Sequence, residues 1–373
     1  MTDKGNAMPA SISRRALLGS GALAGAGATL LATAPGAAAA PNYPMTTFPT
    51  LSAGMTGIPV RALRYILFHR GHNCGIGDTY DAGTVSAVRA FQTRRALPVT
   101  GIANDATFRK LIGDLALITY GNTSYFVTAS QVLLTRQGYV MDGTGYYGDK
   151  TRRNIWSFQI GHGMAHSDKV SLLTWSTLFG ARTSGALYPM LQRDTGTAQW
   201  ANCGPVVAVA TLLHQGKTPT SWTWDVTTRR TAIEKFRYDA MEVAHTTARD
   251  KIGTEYPDFV TGFGKYGISL WHGGIEDTLT DARAGRPSIA GGDVFQMPYP
   301  VSVSKPTSHW VAVLGYDGTY YLVVDPISAP SVDYVHRLTA THLRKYAATN
   351  PGHPPESAKQ NSILIRASSL RQF

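Results

Sequence analysis

Cysteine is nearly missing: Cys74 and Cys203 are the only two in 373 residues, so a disulfide framework is excluded and at most one bridge is arithmetically open. Such a bridge would silence either thiol. Acidic residues are also scarce, 24 against 35 Lys and Arg, for a formal net charge of +11. No carboxylate pair stands out as the acid and base of a glycosidase. No His-Glu-x-x-His run or Cys-x-x-Cys pair occurs, which removes the common zinc signatures and implies no metal or cofactor. His214, His245, His272 and His336 lack partners at metal-ligand spacing, and His214 near a helix end suits the helix dipole. No dense Lys/Arg run or aromatic stacking motif argues for a nucleic-acid partner.

What is present begins with Ser13-Arg14-Arg15-Ala16-Leu17-Leu18, a Gly/Ala-rich apolar stretch to Ala34, and Ala38-Ala39-Ala40 before Pro41. This is an export signal over residues 1–40. Its paired arginines, and an apolar region diluted by Gly19, Gly21, Gly25 and Gly27, resemble a twin-arginine signal. The apolar length of roughly 19 residues would also permit a membrane anchor, but Leu is sparse and a small-residue cleavage pattern follows. The expectation is a secreted or cell-wall protein with no stable span after signal removal. Its mature chain keeps a charge of about +9, which favours encounter with an anionic partner.

The sequence matches itself at one fixed offset of 67 residues. Val60 falls on Val127, Leu67 on Leu134, Gly71 on Gly138, Thr84 on Thr151, Phe91-Gln92 on Phe158-Gln159, Thr107 on Thr174 and Leu111 on Leu178. Val60, Leu63, Ile66 and Leu67 share one helical face, as do Val85, Val88 and Phe91, and Gly71 suits a helix end. Each copy, 52–115 and 120–182, therefore predicts a small unit of three helices separated by turns such as Gly75-Ile76-Gly77-Asp78 and Asp142-Gly143-Thr144-Gly145.

At these residues both copies resemble the peptidoglycan-binding domain that accompanies cell-wall hydrolases. The first departs from it where Pro98-Val99-Thr100-Gly101 replaces the usual Asp-Gly turn. The resemblance implies that peptidoglycan or another anionic wall polymer is a partner, with two weak sites reinforcing each other through effective concentration. Phe91, Phe158 and Trp175 read equally as core aromatics.

From 184 to 373 the repeat stops and the composition shifts toward Trp, Tyr and β-branched runs, as expected of a separate α+β domain. It contains Gln199-Trp200-Ala201-Asn202-Cys203-Gly204-Pro205. Pro205 suits the first turn of a helix, and Val206 to His214 continue it until Gly216. Cys203 then sits at a helix N-terminus, where partial positive charge favours the nucleophilic thiolate. A lone cysteine is more often a small buried hydrophobe. What separates this one is a His and an Asp about a hundred residues on.

The run Ser308-His309-Trp310-Val311-Ala312-Val313-Leu314-Gly315, then Tyr316-Asp317-Gly318, then Thr319 to Asp325-Pro326, reads as a β-hairpin. A three-residue loop with Gly318 left-handed pairs Gly315 with Thr319 and sets His309 opposite Asp325. A two-residue loop turns Asp325 to the other face. Expected roles are His309 as base and acid toward Cys203, and Asp325 orienting the imidazole.

At these motifs the region resembles the papain-like superfamily, nearest the C39-like peptidases with their Gln, Cys-Gly-Pro, His and Asp-Pro pattern. Ala284-Gly285-Arg286-Pro287-Ser288-Ile289 also fits that family's path between Cys and His. The resemblance implies a fold with a Cys-bearing N-terminal helix and an antiparallel sheet carrying His and Asp. It implies a cysteine-type peptidase cleaving amide bonds, in peptidoglycan or in exported proteins. It also implies a Gln that donates to the oxyanion; Gln192 matches by its place at the domain's first strand, while Gln199 lies only four residues from Cys203.

Overall fold

A computed structural model describes residues 44–113, 118–139, 141, 143–181, 187–222, 229–329, 335–353 and 361–366. The export-signal reading, over 1–40, lies outside the described residues.

The first helical unit comprises α1 (Ile58–His69), α2 (Ala82–Arg94) and α3 (Asp105–Ile112), and the second α4 (Tyr125–Gln137), α5 (Asp149–Gly161) and α6 (Leu172–Phe179). All three helix starts recur at the offset of 67. The connections recur too: Ala103 N–H donates to Leu51 O at 2.9 Å and Val170 N–H to Ile118 O at 3.1 Å, while bridges join Thr56 to Thr79 and Thr123 to Tyr146. Asn104 and Ser171 cap α3 and α6 alike, each accepting from an N–H in the first turn.

Leu63, Ile66, Leu67, Val88, Phe91, Phe108 and Leu111 are buried together, each contributing roughly 1.5–3 kcal/mol. The glutamine of each Phe-Gln pair is buried beside this core and closes a turn. Gln92 Nε2 donates to Ile102 O (2.9 Å) and Thr107 Oγ1 (3.1 Å), and its Oε1 accepts from Gly101 N–H (2.9 Å). Gln159 does the same for Lys169 O (3.0 Å), Thr174 Oγ1 (3.3 Å) and Ser167 N–H (2.7 Å). The altered turn of the first copy ends at Gly101, whose φ of +74° and close approach to Val85 require glycine. The units meet through α1 and α4, where Phe68 lies edge-on to Tyr125 with centroids 4.7 Å apart.

The C-terminal region is α+β. Its sheet is antiparallel in the order β1-β6-β2-β3-β4-β5, made of Ser269–Gly273, Ser362–Arg366, Ser288–Asp293, Ser308–Tyr316, Tyr321–Val324 and His336–Leu338 respectively. The last described strand thus inserts between β1 and β2, both of which it pairs. Four more helices accompany the one that begins at Cys203: α7 (Cys203–His214), α8 (Arg229–Lys235), α9 (Tyr256–Gly264), α10 (Ile275–Arg283) and α11 (Ala340–Ala347). All twelve residues of α7 are buried, as befits a helix apolar all round. Ile289, Ala312, Leu314 and Val324 join its cluster. Alternate strand residues, Ala290, Val311, Val313 and Val323, join Leu279 and Leu343 of α10 and α11 on the other face.

The hairpin differs from expectation. Gly315 pairs with Leu322, not Thr319, and Tyr316 with Tyr321, so the loop is the four residues 317–320. Asp317 closes it by accepting from the N–H groups of Thr319 (3.0 Å) and Tyr320 (2.8 Å), a side-chain turn that outcompetes the tighter loop. The register then shifts by one between Val313 and Gly315. Without this bulge Asp325 would face away from His309. With it, Asp325 lies one residue past β4, diagonal to His309 rather than opposite, and on the same face.

Candidate active site

Cys203 opens α7, and Pro205 occupies its first turn as the sequence suggests. Asn202 before it is fully buried and donates from Nδ2 to Thr195 Oγ1 at 2.9 Å. Gly204 is there because of a close approach: a Cβ at this position would lie 2.2 Å from Cβ of Thr254. Thr254 is held in turn by Trp310, whose Nε1 donates to its carbonyl at 2.9 Å. Strand β3 is thereby tied to the start of the Cys203 helix. Both cysteines are free, and Cys74 is half-buried in the first repeat.

His309 lies at the start of β3, where the strand runs past α7. Its Nε2 is 2.8 Å from Asp325 Oδ1, which leaves Nδ1 for the thiol. Cys203, His309 and Asp325 are all buried, at 7%, 3% and 3% exposure, so their mutual interactions are little screened. Burial pushes the Cys203 thiol up, but hydrogen bonding to His309, the charge of His309 and the amides of Trp310 and Gly204 carry it below the ordinary thiol value. Burial pulls His309 down, yet the Asp325 carboxylate and the Cys203 thiolate raise it to about 9. Burial raises Asp325 as well, and the His309 interaction overcomes this, leaving it below the usual carboxylate range.

Asp325 is saturated with donors. Besides His309, it accepts from Tyr299 Oη (2.8 Å) at Oδ2 and from Ile327 N–H (2.9 Å) at Oδ1. The Tyr299 ring stacks on His336 with centroids 3.5 Å apart. His336 is therefore no bland strand residue: it is buried behind Asp325, and burial drops it to about 4, so it is neutral at pH 7. Tyr346 of α11 donates to the His309 carbonyl at 2.5 Å and fixes the strand from the far face.

Gln192 opens a 3-10 turn, Gln192–Asp194, and not the expected strand, because its carbonyl is taken by Thr195. It is buried, and its N–H donates to Pro326 O at 2.9 Å, beside Asp325. Its carbonyl accepts from Thr195 Oγ1 at 2.5 Å, the hydroxyl that Asn202 also holds. The backbone of Gln192 is thus pinned between the Asp325 turn and the residue before Cys203. Its Oε1 is buried with no hydrogen bond among the described residues. Gln199 is only half-buried, and the neighbouring Trp200 is 65% exposed.

Arg237, Tyr299, Thr254 and Tyr346 were not singled out from the sequence. Arg237 sits in a single π-helical turn, Phe236–Ala240. It is fully buried and donates to the carbonyls of Ala201 (3.0 Å), Arg249 (2.8 Å) and Ile252 (2.9 Å). It braces the approach to Cys203. A charged residue amid Ile233, Phe236 and Ala240 was the one available signal. His245 lies 3.5 Å from Asp250, and His272 stacks on Tyr256 at 3.6 Å. Among the described residues no cluster of three or more His, Cys, Asp or Glu is placed to hold a metal ion, and no helix is long and apolar enough to cross a membrane.

Residues 56–111 match the peptidoglycan binding domain family. No curated protein matches the chain. The match runs from just before α1 to one residue short of the end of α3. A cell-wall-associated protein is what such a domain implies.

Proposed function

We propose that the C-terminal region is a papain-like cysteine amidohydrolase that cleaves peptide bonds in peptidoglycan. The observation that carries this reading is the buried relay of Cys203, His309 and Asp325, closed by the 2.8 Å contact of His309 Nε2 with Asp325. Three buried polar groups in line are costly unless used. The peptidoglycan-binding domain at 56–111 supports the choice of substrate.

In this reading the Cys203 thiolate attacks the amide carbonyl carbon, forming the C–S bond and an oxyanion. Gln192 donates its side-chain N–H to that oxyanion. Collapse breaks the C–N bond, and the His309 imidazolium gives its proton to the departing amine. His309 then takes a proton from water, whose oxygen attacks the thioester carbon. The C–S bond breaks, releasing the acid and restoring the thiolate. Asp325 keeps the ring oriented throughout. Twin-arginine export belongs to this proposal, since it delivers a folded chain with free thiols to the wall.

Purified mature protein is expected to release new amines from isolated sacculi, and Cys203→Ala to release none. Intact sacculi alongside Cys203-dependent casein cleavage would reassign the enzyme to exported proteins. Failure of iodoacetamide to label Cys203 at neutral pH would leave a wall-binding protein without catalysis.

A further inference from the structure

The ends of α1 and α2 in the first repeat enclose a pocket lined by His69, Arg70, His72, Phe91, Arg94 and Arg95. Phe91 is its apolar floor. The Arg95 guanidinium lies 5.8 Å from the Phe91 centroid, and the His72 ring meets Phe91 edge-on at 5.6 Å. Arg70 spends Nε and Nη2 on the carbonyls of Leu111 (2.7 Å) and Ile112 (3.0 Å). Among the described residues, Arg94 and Arg95, at the exposed end of α2, have no such employment. The ion pairs of this repeat use Arg61, Arg64 and Arg109, so among the described residues no carboxylate answers the pocket's charge. The cations oppose one another instead: after burial, Arg95 is what lowers Arg70, and Arg94 and Arg95 are what lower His72.

The second repeat, at the same offset, presents Arg136, Gln137, Tyr139, Phe158, Gly161 and His162. Gln137 keeps the fastening role of Arg70, donating to Leu178 O and Gly180 O at 3.0 Å each. Phe158 keeps the ring of Phe91, and the other positions have changed. The space is filled by the chain itself: Tyr139 Oη donates to Leu187 O at 2.8 Å and its ring packs on Tyr188 at 5.3 Å. Gly161, where the first repeat has Arg94, allows this, because even a Cβ there would lie 3.2 Å from Leu187 N. His162, where the first repeat has Arg95, is buried against Phe158 O at 2.7 Å. A separate recess beside Gln131 and Tyr146 carries Asp149 and Lys150, one charge of each sign, and offers no convergent field.

We propose that the pocket of the first repeat is the wall-ligand site and takes an anionic oxyacid group of the polymer, a carboxylate or a phosphate. Its counterpart in the second repeat has been converted into a socket for the C-terminal region. Arginine forks match such oxyanions bidentately, and an arriving oxyanion relieves the mutual repulsion of the pocket's cations. The proposal rests on the wall-binding reading of the first repeat and replaces two tandem sites with one.

Co-sedimentation of the full mature chain, carrying Cys203→Ala, with sacculi tests this. Both intact walls and walls stripped of phosphate polymers are used. Arg94→Ala/Arg95→Ala is expected to bind roughly 10- to 100-fold more weakly, with an unchanged melting temperature. The control Arg89→Ala/Lys110→Ala removes the same charge from the same repeat and is expected to bind as the parent does. A difference between the variants on both preparations identifies a carboxylate of peptidoglycan; a difference confined to intact walls identifies a phosphate. Parent-like binding by the pocket variant, or equal weakening by the control, overturns the pocket while leaving wall binding standing. A parent that sediments with neither preparation overturns both.

Discussion

The helical half and the sheet half both bury glutamine, and they use it in opposite ways. Gln92 binds four groups of its own repeat and Gln159 three, so that donors and acceptors alike are consumed in closing a turn. Gln192 is buried as deeply, yet its Oε1 has no partner among the described residues. The same contrast separates the N-caps of the repeats from the Cys203, His309 and Asp325 relay, whose charges are held by their interaction with one another against the cost of burial. The polar groups of the repeats serve the fold; those of the relay, under the proposed function, serve a reaction.

Substitutions sharpen this contrast, and the largest effect belongs to the nucleophile. Cys203→Ala is expected to lower kcat on sacculi by roughly 10⁴–10⁶-fold while leaving the melting temperature close to that of the parent; retained amine release would sink the assignment. Asp325→Asn comes next, with a loss of about 10²–10⁴-fold in kcat. It also changes the pH profile. With His309 raised to about 9, kcat/KM of the parent is expected to fall as pH rises through that value, because the imidazolium is lost. Removing the carboxylate lowers His309, so the alkaline limb moves to lower pH by roughly one unit or more. An unmoved limb would detach Asp325 from His309.

Stability follows the same linkage. The raised His309 contributes stability below its unfolded value of 6.5 that is lost as pH rises through about 9. The depressed Asp325 contributes stability above its unfolded value of 3.8 that is lost as pH falls through its lower folded one.

The two glutamines give the sharpest pair. Gln192→Ala is expected to cost about 10²–10³-fold in kcat with little change in urea midpoint. Gln92→Ala is expected to cost about 2–3 kcal/mol of stability, read in urea, because it strands the Gly101 N–H and the Ile102 carbonyl. Its kcat is expected to stay at the parent's value. An inverted result, with Gln192 stabilising and Gln92 catalytic, would break the comparison.

Much of the helical half was legible because its information is local. An offset of 67 and two helical faces predict the repeats, and the structure returns helix starts, bridges and two of the glutamine contacts at that spacing. The Cys203 helix was legible for the same reason, through Pro205 and Gly216. The hairpin was not. Its loop length depended on Asp317 closing a four-residue turn, and its working register on one bulged residue at Leu314. Each choice shifts the pairing by a single step, a difference that strand periodicity alone cannot resolve.

The sequence by itself determined the two helical units, the helix that begins at Cys203, and the identities of the residues that form the relay, because caps, turns and periodic faces act over a few residues. Only the tertiary structure decided the rest. It joined Asp325 to His309 across a bulge, and it placed Tyr299 and His336 behind Asp325. It also filled the second repeat's hollow with Leu187 and Tyr188, while in the first repeat Arg94 and Arg95 have no ion pair among the described residues. These outcomes depend on contacts between residues far apart in the chain, where two copies of one pattern can meet different neighbours.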